Sequence, residues 1–327
     1  MSTKIEWTDE TWNPISGCSK VSAGCKNCYA ERLFPRPYPG RAFTDVRTHP
    51  DRLDAPLRWR KPRRIFVNSM SDLFHEDVPD EFINQVFAVM MLCPRHDFQI
   101  LTKRPDNMRR WFTIGRSIEE KGFRRVAPID VIVSVTADRI LSGWQSKRSE
   151  AVGFTWPLGN VWLGVSVEDQ ATADERIPLL LDTPAAIRFV SYEPALGPIN
   201  LTDVGDDGWA YPVNALTGQA DAPKFLVDRL SGPKVDWVIA GGESGPHARP
   251  AHPDWFRSAR DQCAAAGVAF FFKQWGEFSP GGVPCYSHQL TQVEQPGDPL
   301  ATWTMARVGK KAAGRLLDGR EHSEYPA

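Results

Sequence analysis

Three cysteines fall within eleven residues, Cys18, Cys25 and Cys28, in a C-x6-C-x2-C array. Thiolates this close in sequence can wrap one metal centre, and Gly17 and Gly24 give the intervening loop the freedom to arch over it. The number of thiols discriminates more sharply than their spacing. Structural zinc takes four ligands, usually in two pairs, and no second C-x2-C or H-x3-H pair is present. An iron–sulfur cluster that only carries electrons also takes four thiolates. Three thiolates leave one iron of a [4Fe–4S] cluster open to a small molecule, which is the chemical basis of reductive S-adenosylmethionine cleavage. The competing readings are a zinc site completed by His75, His96 or His247, and thiols that hold no metal. Cys93, Cys263 and Cys285 stand apart from the array. Cys93 and Cys263 lie in apolar helical surroundings and read as inert buried thiols.

A second set of chemical groups follows the apolar runs. Asn68-Ser69-Met70-Ser71-Asp72, Thr102-Lys103-Arg104, Ser166-Val167-Glu168-Asp169, Ser191-Tyr192-Glu193-Pro194 and Gly241-Gly242-Glu243-Ser244-Gly245 each come directly after such a run. In parallel α/β folds ligands bind at the carboxyl ends of strands, so these groups are expected to share one site. Asp, Ser and Gly also cap helices and open turns. Five successive ends bearing carboxylates or cations exceed what capping requires.

The elements that must position these groups alternate in type. Apolar runs at Ile65–Asn68, Phe98–Leu101, Val161–Ser166, Ile187–Ser191, Trp237–Ala240 and Val268–Phe272 read as buried strands, preceded by a short first strand over Trp12–Ile15. Helical spacing appears from Pro79 to Met90, from Asp106, from Thr172 to Leu181, and from Pro253 to a stop at Gly267. Near-continuous apolar strands separated by helices imply a parallel sheet covered on both faces. The expected fold is α/β, a full or partial (β/α) barrel of parallel strands over residues 1–280. Two insertions, about 111–160 (with the extra apolar run Val131–Val135) and 201–234, interrupt it. An irregular polar tail over 281–327 follows.

The 327 residues are 42% hydrophobic and 24% charged with a net charge of −1, the profile of an ordinary soluble protein without a global basic field. One local basic run, Arg58-Trp59-Arg60-Lys61-Pro62-Arg63-Arg64, is compatible with nucleic acid, although such runs are usually solvated faces. No apolar stretch approaches the ~20 residues that span a bilayer, and the first residues lack a secretory apolar run. A reducing cytoplasm is expected, where clustered cysteines serve as metal ligands or catalysts rather than disulfides.

Several segments carry a resemblance. Lys4-Ile5-Glu6-Trp7-Thr8, Thr11-Trp12-Asn13-Pro14 and the cysteine array are followed by Asn68-Ser69-Met70-Ser71-Asp72-Leu73-Phe74-His75 and Leu101-Thr102-Lys103-Arg104-Pro105. Trp162–Glu168, Gly241-Gly242-Glu243-Ser244-Gly245-Pro246 and Phe272-Lys273-Gln274-Trp275-Gly276 complete the set. Together they resemble the phage-encoded three-cysteine-motif family of bacteriophages and bacterial genomes, over about residues 4–278 less the two insertions. That family is similar in turn to radical S-adenosylmethionine enzymes, which share a partial α/β barrel with three cluster cysteines after the first strand. Their usual array is C-x3-C-x2-C with an aromatic before the last cysteine. Here the first gap is six residues, Asn27 precedes Cys28, and the aromatic, Tyr29, follows it.

The resemblance implies a [4Fe–4S] cluster on Cys18, Cys25 and Cys28, and S-adenosylmethionine held by Tyr29, Asn68, Ser69, Ser71, Asp72, Ser166, Glu168, Ser191 and Glu193. It places Lys103, Arg104 and Glu243 on the substrate side, with Lys103 and Arg104 able to pair with a carboxylate or phosphate. A flavodoxin- or ferredoxin-like electron donor would reduce the cluster. The 5′-deoxyadenosyl radical so formed would take a hydrogen atom from a substrate, for which a phage setting suggests a nucleobase, nucleotide or nucleic acid in the host cytoplasm. Two readings compete. One is a zinc- or cluster-stabilised nucleic-acid or protein-binding module without turnover. The other is a metal-dependent hydrolase using Asp72, Glu168, Glu193 and Glu243, which leaves the cysteines unexplained.

Overall fold

A computed structural model describes residues 3, 5–113, 116–120, 123–143, 155–205, 212–220, 232–281 and 289–327. Seven strands form one sheet: β1 (Glu10–Trp12), β2 (Arg64–Val67), β3 (Asp97–Thr102), β4 (Val161–Val167), β5 (Ile187–Tyr192), β6 (Trp237–Gly241) and β7 (Ala269–Gln274). Their order in the sheet is their order in the chain, and β1/β2, β2/β3, β5/β6 and β6/β7 pair in parallel. A doubly wound sheet reverses its order at a switch point, whereas a barrel wall never does, so this winding is that of a partial (β/α) barrel. The main crossover helices are α2 (Asp80–Met91), α3 (Pro105–Thr113), α4 (Ile129–Gly143), α5 (Gln170–Leu181) and α6 (Pro253–Ala266), and a short α1 (Tyr29–Leu33) follows the cysteines.

The chain divides into two compact units, Met1–Ser19 with Leu33–Gly164 and Asp182–Ile187, and Lys20–Arg32 with Val165–Leu181 and Arg188–Ala327. In the first, Ile65, Val67, Phe98 and Ile100 are fully buried. Helix α2 starts after Pro79, carries Asp80 and Glu81 in its first turn where the helix dipole favours them, and buries Phe82, Ile83, Val86, Phe87 and Met90. Its end is closed by Asn160, whose Nδ2 donates to the carbonyls of Met90, Cys93 and His96. Trp111 of α3 stacks on Phe87 at 4.3 Å and donates Nε1–H to Asn84 Oδ1 at 3.1 Å. The first insertion holds an antiparallel hairpin, Arg116–Glu120 with Phe123–Ala127, and α4, where the apolar run Val131–Val135 resides.

In the second unit α6 begins at Pro253 under a His252 cap and ends at Gly267, whose φ of +66° is the left-handed conformation that stops a helix. Part of the second insertion is a small hairpin of Val213–Asn214 and Gln219–Ala220. The tail departs from its expected irregularity. Strands β8 (Phe278–Pro280), β9 (Leu290–Gln295) and β10 (Asp298–Arg307) make an antiparallel sheet in the order β8-β10-β9. The last residues then lie along β7, with Phe272 N donating to His322 O and Glu324 N to Phe270 O. They cover what would otherwise be an open strand edge. Among the described residues no helix is long and apolar enough to cross a membrane.

Candidate functional site at the strand ends and the cysteine loop

Cys18 leaves β1 through a two-residue strand, Ile15–Ser16, that pairs with Arg47–Thr48. Gly17 follows at φ +92°, where any Cβ would come within 2.6 Å of the Asp45 carbonyl, so only glycine makes this turn. The residues after β2 and β3 in the same unit lock together. Asp72 Oδ1 accepts from Thr102 Oγ1 (2.8 Å) and Phe74 N (3.0 Å), and Oδ2 accepts from Lys103 N (3.0 Å) and Arg104 Nη1 (3.4 Å). Arg104 Nη1 also donates to Cys18 Sγ at 3.5 Å, its Nη2 to Ser19 Oγ at 2.7 Å, and its Nε to Glu76 Oε2 at 2.8 Å.

His75 belongs to this corner. Its Nδ1 accepts from Asp77 N at 3.1 Å, which assigns the neutral ring's proton to Nε2, 2.9 Å from Ser19 Oγ. Burial and then the Arg104 charge push the His75 pKa down, in keeping with a neutral ring. The segment after β2 is equally committed. Ser69 exchanges hydrogen bonds with Asn13, and Ser71 Oγ donates to Ile15 O at 3.0 Å. Asn68 is the contrast: it is buried, and neither its Nδ2 nor its Oδ1 has a hydrogen-bond partner.

Cys25 and Cys28 sit in the second unit on a loop whose only regular structure is a single 3₁₀ turn, Ala23–Cys25, ahead of α1. Ser22 Oγ stands 3.9 Å from Cys25 Sγ and donates to Glu168 Oε1 at 2.9 Å. Glu168, wholly buried at the end of β4, places Oε2 3.2 Å from Arg176 Nη1 of α5, and Arg176 is itself only 2% exposed. Glu243, after β6, is saturated. It accepts from Arg249 Nη2 (2.6 Å), Arg249 Nε and N (both 2.8 Å) and Asn27 Nδ2 (3.1 Å). Burial raises its pKa, but the donors from Arg249 and Asn27 outweigh it and hold the carboxyl below its usual range. Burial pushes the Cys28 thiol up, against partial relief from the Glu31 and Ala30 amides.

The remaining expected site residues are distributed as follows. Tyr29 begins α1 and is 44% exposed. Ser166 Oγ donates to Glu193 O at 3.1 Å, and Ser191 is buried on β5. Glu193 Oε2 pairs with Lys273 Nζ of β7 at 2.9 Å, while Glu193 Oε1 is buried without a partner. Sequence reasoning gave no site role to Lys273, Arg176, Arg249 or Asn27. A carboxylate buried at a strand end requires a cation, and that requirement was the available signal for the arginines.

Of the histidines considered as zinc ligands, His75 is used as above, His96 is buried near Pro56 O at 3.3 Å, and His247 is exposed. The basic run is largely neutralised. Arg58 pairs with Asp54 (2.8 Å), Arg63 with Glu10 (2.7 Å) and Arg64 with Asp9 (3.5 Å). Cys93 and Cys263 are completely buried, with thiols pushed up to about 12 by burial, as expected of inert cysteines. Cys285 lies outside the described residues.

Cys18, Cys25 and Cys28 are half-buried thiols outside any disulfide, and soft thiolates are the donors that iron–sulfur clusters and zinc select. The donor set therefore fits an iron–sulfur cluster. Among the described residues no three His, Cys, Asp or Glu side chains are gathered as a metal-holding group, and ligation would remove the thiols' protons.

Fold and strand ends define an α/β protein of partial-barrel winding, in which Asp72, Glu168, Glu193 and Glu243, each following a sheet strand, are paired with Arg104, Arg176, Lys273 and Arg249. The chain belongs to the family described as "Protein of unknown function (DUF5131)", which it matches over residues 2–326. Neither a curated protein nor a solved structure shows a significant match.

Proposed function

We propose that this protein is a radical S-adenosylmethionine-type iron–sulfur enzyme of radical-SAM-like fold, working in the cytoplasm. One observation carries the reading. Three half-buried cysteines, none in a disulfide, occupy eleven residues of chain after the first strand of a sheet wound in barrel order. Cys18, Cys25 and Cys28 would hold a [4Fe–4S] cluster. When bound and reduced by an electron-donor protein, that cluster would supply the electron that splits S-adenosylmethionine into methionine and a hydrogen-abstracting carbon radical.

This chain's own residues bind and orient. The partnerless amide of Asn68 is suited to a ligand that presents a donor beside an acceptor, at the cofactor or at a nucleobase. Glu193 and Lys273 offer a half-buried carboxylate and ammonium for a second polar contact. Asp72 and Glu243 are occupied by protein donors, which moves them from direct binding to positioning. Arg104 serves the Cys18 segment rather than a substrate anion. Nucleobase or nucleic-acid modification remains the proposed substrate class. It draws little support from the basic run, whose arginines 58, 63 and 64 are carboxylate-paired.

The test is anaerobic reconstitution with iron and sulfide, followed by EPR of the reduced protein with and without S-adenosylmethionine. A cubane signal that shifts on adding S-adenosylmethionine and is lost in Cys28→Ala is expected. Stoichiometric zinc, or a cluster indifferent to S-adenosylmethionine, would sink the reading in favour of a metal-stabilised binding module.

A further inference from the structure

Loop residues 22–27 have no secondary structure of their own beyond one 3₁₀ turn, yet hydrogen bonds grip them from two strand ends. Glu168 takes the Ser22 hydroxyl at 2.9 Å. Its Oε1 also lies so close to Gly24 that a Cβ there would stand 2.3 Å away. Glu243 takes Asn27 Nδ2 at 3.1 Å, and its partner Arg249 reaches back to donate to Ala23 O at 3.1 Å. Asn27 Nδ2 donates as well to His247 O at 2.8 Å. The grips at 22, 23, 24 and 27 bracket Cys25 and end one residue before Cys28.

We propose that Glu168 and Glu243 are positioning residues that clamp the Cys25–Cys28 loop to the ends of β4 and β6, rather than ligands of cofactor or substrate. Each carboxylate has an arginine that keeps it charged inside the protein, Arg176 for Glu168 and Arg249 for Glu243. Each spends a second bond on the loop. A buried carboxylate is costly unless so paired, and once paired it is a fixed, strong acceptor. Gly24 follows from the same arrangement, because the loop passes Glu168 at a distance that no side chain permits. The clamp would therefore fix the backbone that carries Cys25 and leads into Cys28. The purpose of the clamp rests on the cluster reading, but its existence does not.

Ser22→Ala severs the Glu168 grip and Asn27→Ala the Glu243 grip, and both leave the buried carboxylate–arginine pairs intact. The 327-residue chain, chelator-treated and reduced, would be pulsed with iodoacetamide, digested with trypsin and analysed by mass spectrometry. Cleavage after Lys20, Lys26 and Arg32 puts Cys25 and Cys28 on separate peptides. Cys93 and Cys263, fully buried, report global opening in the same sample.

Labelling of Cys25 in Ser22→Ala, and of Cys28 in Asn27→Ala, should rise about tenfold, the ratio set by one hydrogen bond to a charged group, while Cys93 and Cys263 stay protected. Unchanged rates at Cys25 and Cys28 in both variants would overturn the clamp. If either variant also exposes Cys93 and Cys263, Glu243→Gln, which keeps the side chain's shape, decides by the same criterion. No cluster is needed for this measurement. The clamp and the radical reading can therefore fail independently.

Discussion

The Cys18 corner and the Cys25–Cys28 loop use the same pair of groups in opposite senses. At Cys18 the arginine is the arm that touches the cysteine segment, through Cys18 Sγ and Ser19, and Asp72 stands behind it. At the other two cysteines the carboxylates are the arms, Glu168 on Ser22 and Glu243 on Asn27. Arg176 stands behind Glu168, whereas Arg249 adds a bond of its own to the loop. A buried carboxylate–arginine pair thus works as a bracket whose outer end can be either charge. What differs is how far each bracket depends on its own pairing. Asp72 has three donors besides Arg104. Glu168 and Arg176 are almost wholly buried, and each supplies the other's counter-charge.

The largest effect should therefore come from Glu168→Ala. It removes the near counter-charge of the Arg176 guanidinium, which would keep the Ser166 carbonyl at 2.7 Å and the half-exposed Glu175 carboxylate 4.0 Å from its Nε. Loss of one partner of a buried pair costs about 3–5 kcal/mol. Urea unfolding of the variant should show a midpoint lowered accordingly, and a loss below about 1 kcal/mol would mean that the pair is not the bracket described. Arg104→Ala should cost less, about 1–2 kcal/mol, because Asp72 retains Thr102 Oγ1, Phe74 N and Lys103 N. If the two variants were equally damaging, the contrast between self-sufficient and mutually dependent carboxylates would fail.

How much of this was written in the sequence follows from which forces set each part. The apolar runs of β2 to β7 named themselves, since strands buried on both faces need nearly continuous hydrophobic residues. Helices α2 and α6 were bounded by Pro79, Pro253 and Gly267, whose backbone restrictions are local. The first strand was displaced. Trp12–Ile15 was expected and Glu10–Trp12 is found, because Asn13 turns aside to bond Ser69 and Met70, and Ile15–Ser16 pairs instead with Arg47–Thr48. The tail strands escaped notice because β9 is alternately exposed and half-buried and never makes an apolar run. The segment around His322 and Glu324 joins β7 through backbone groups, which any sequence supplies.

At the strand ends the carboxylates were legible in the sequence, but their pairing was not. The sequence does not show which donors Glu243 and Asp72 take. Arg249, six residues after Glu243, and Arg104, thirty-two residues after Asp72, occupy them. Asn27, which disturbs the usual place of the aromatic in the cysteine array, is the residue that Glu243 holds.

An exposed ion cluster gives the lower bound against which the buried brackets can be judged. Asp318 receives Arg257 Nε and Nη2 on Oδ1 and Arg260 Nη1 on Oδ2, at 2.7–2.9 Å, and these donors lower its pKa to about 2. Its geometry is as good as that around Glu243, but its side chain is 37% exposed, and water and salt screen such pairs to well under 1 or about 1 kcal/mol. The pH dependence has a definite sign. A carboxyl depressed in the folded state stabilises fully above its unfolded pKa of about 3.9. That contribution fades as pH falls from there through about 2. Asp318→Asn is the cleanest probe, because asparagine tolerates the residue's φ of +51°. Wild type should exceed the variant by less than about 1 kcal/mol at pH 6, and the two should converge by pH 2 in acid unfolding followed by circular dichroism. A gap at pH 6 as large as that of Glu168→Ala would show that burial is not what separates strong brackets from weak ones in this protein.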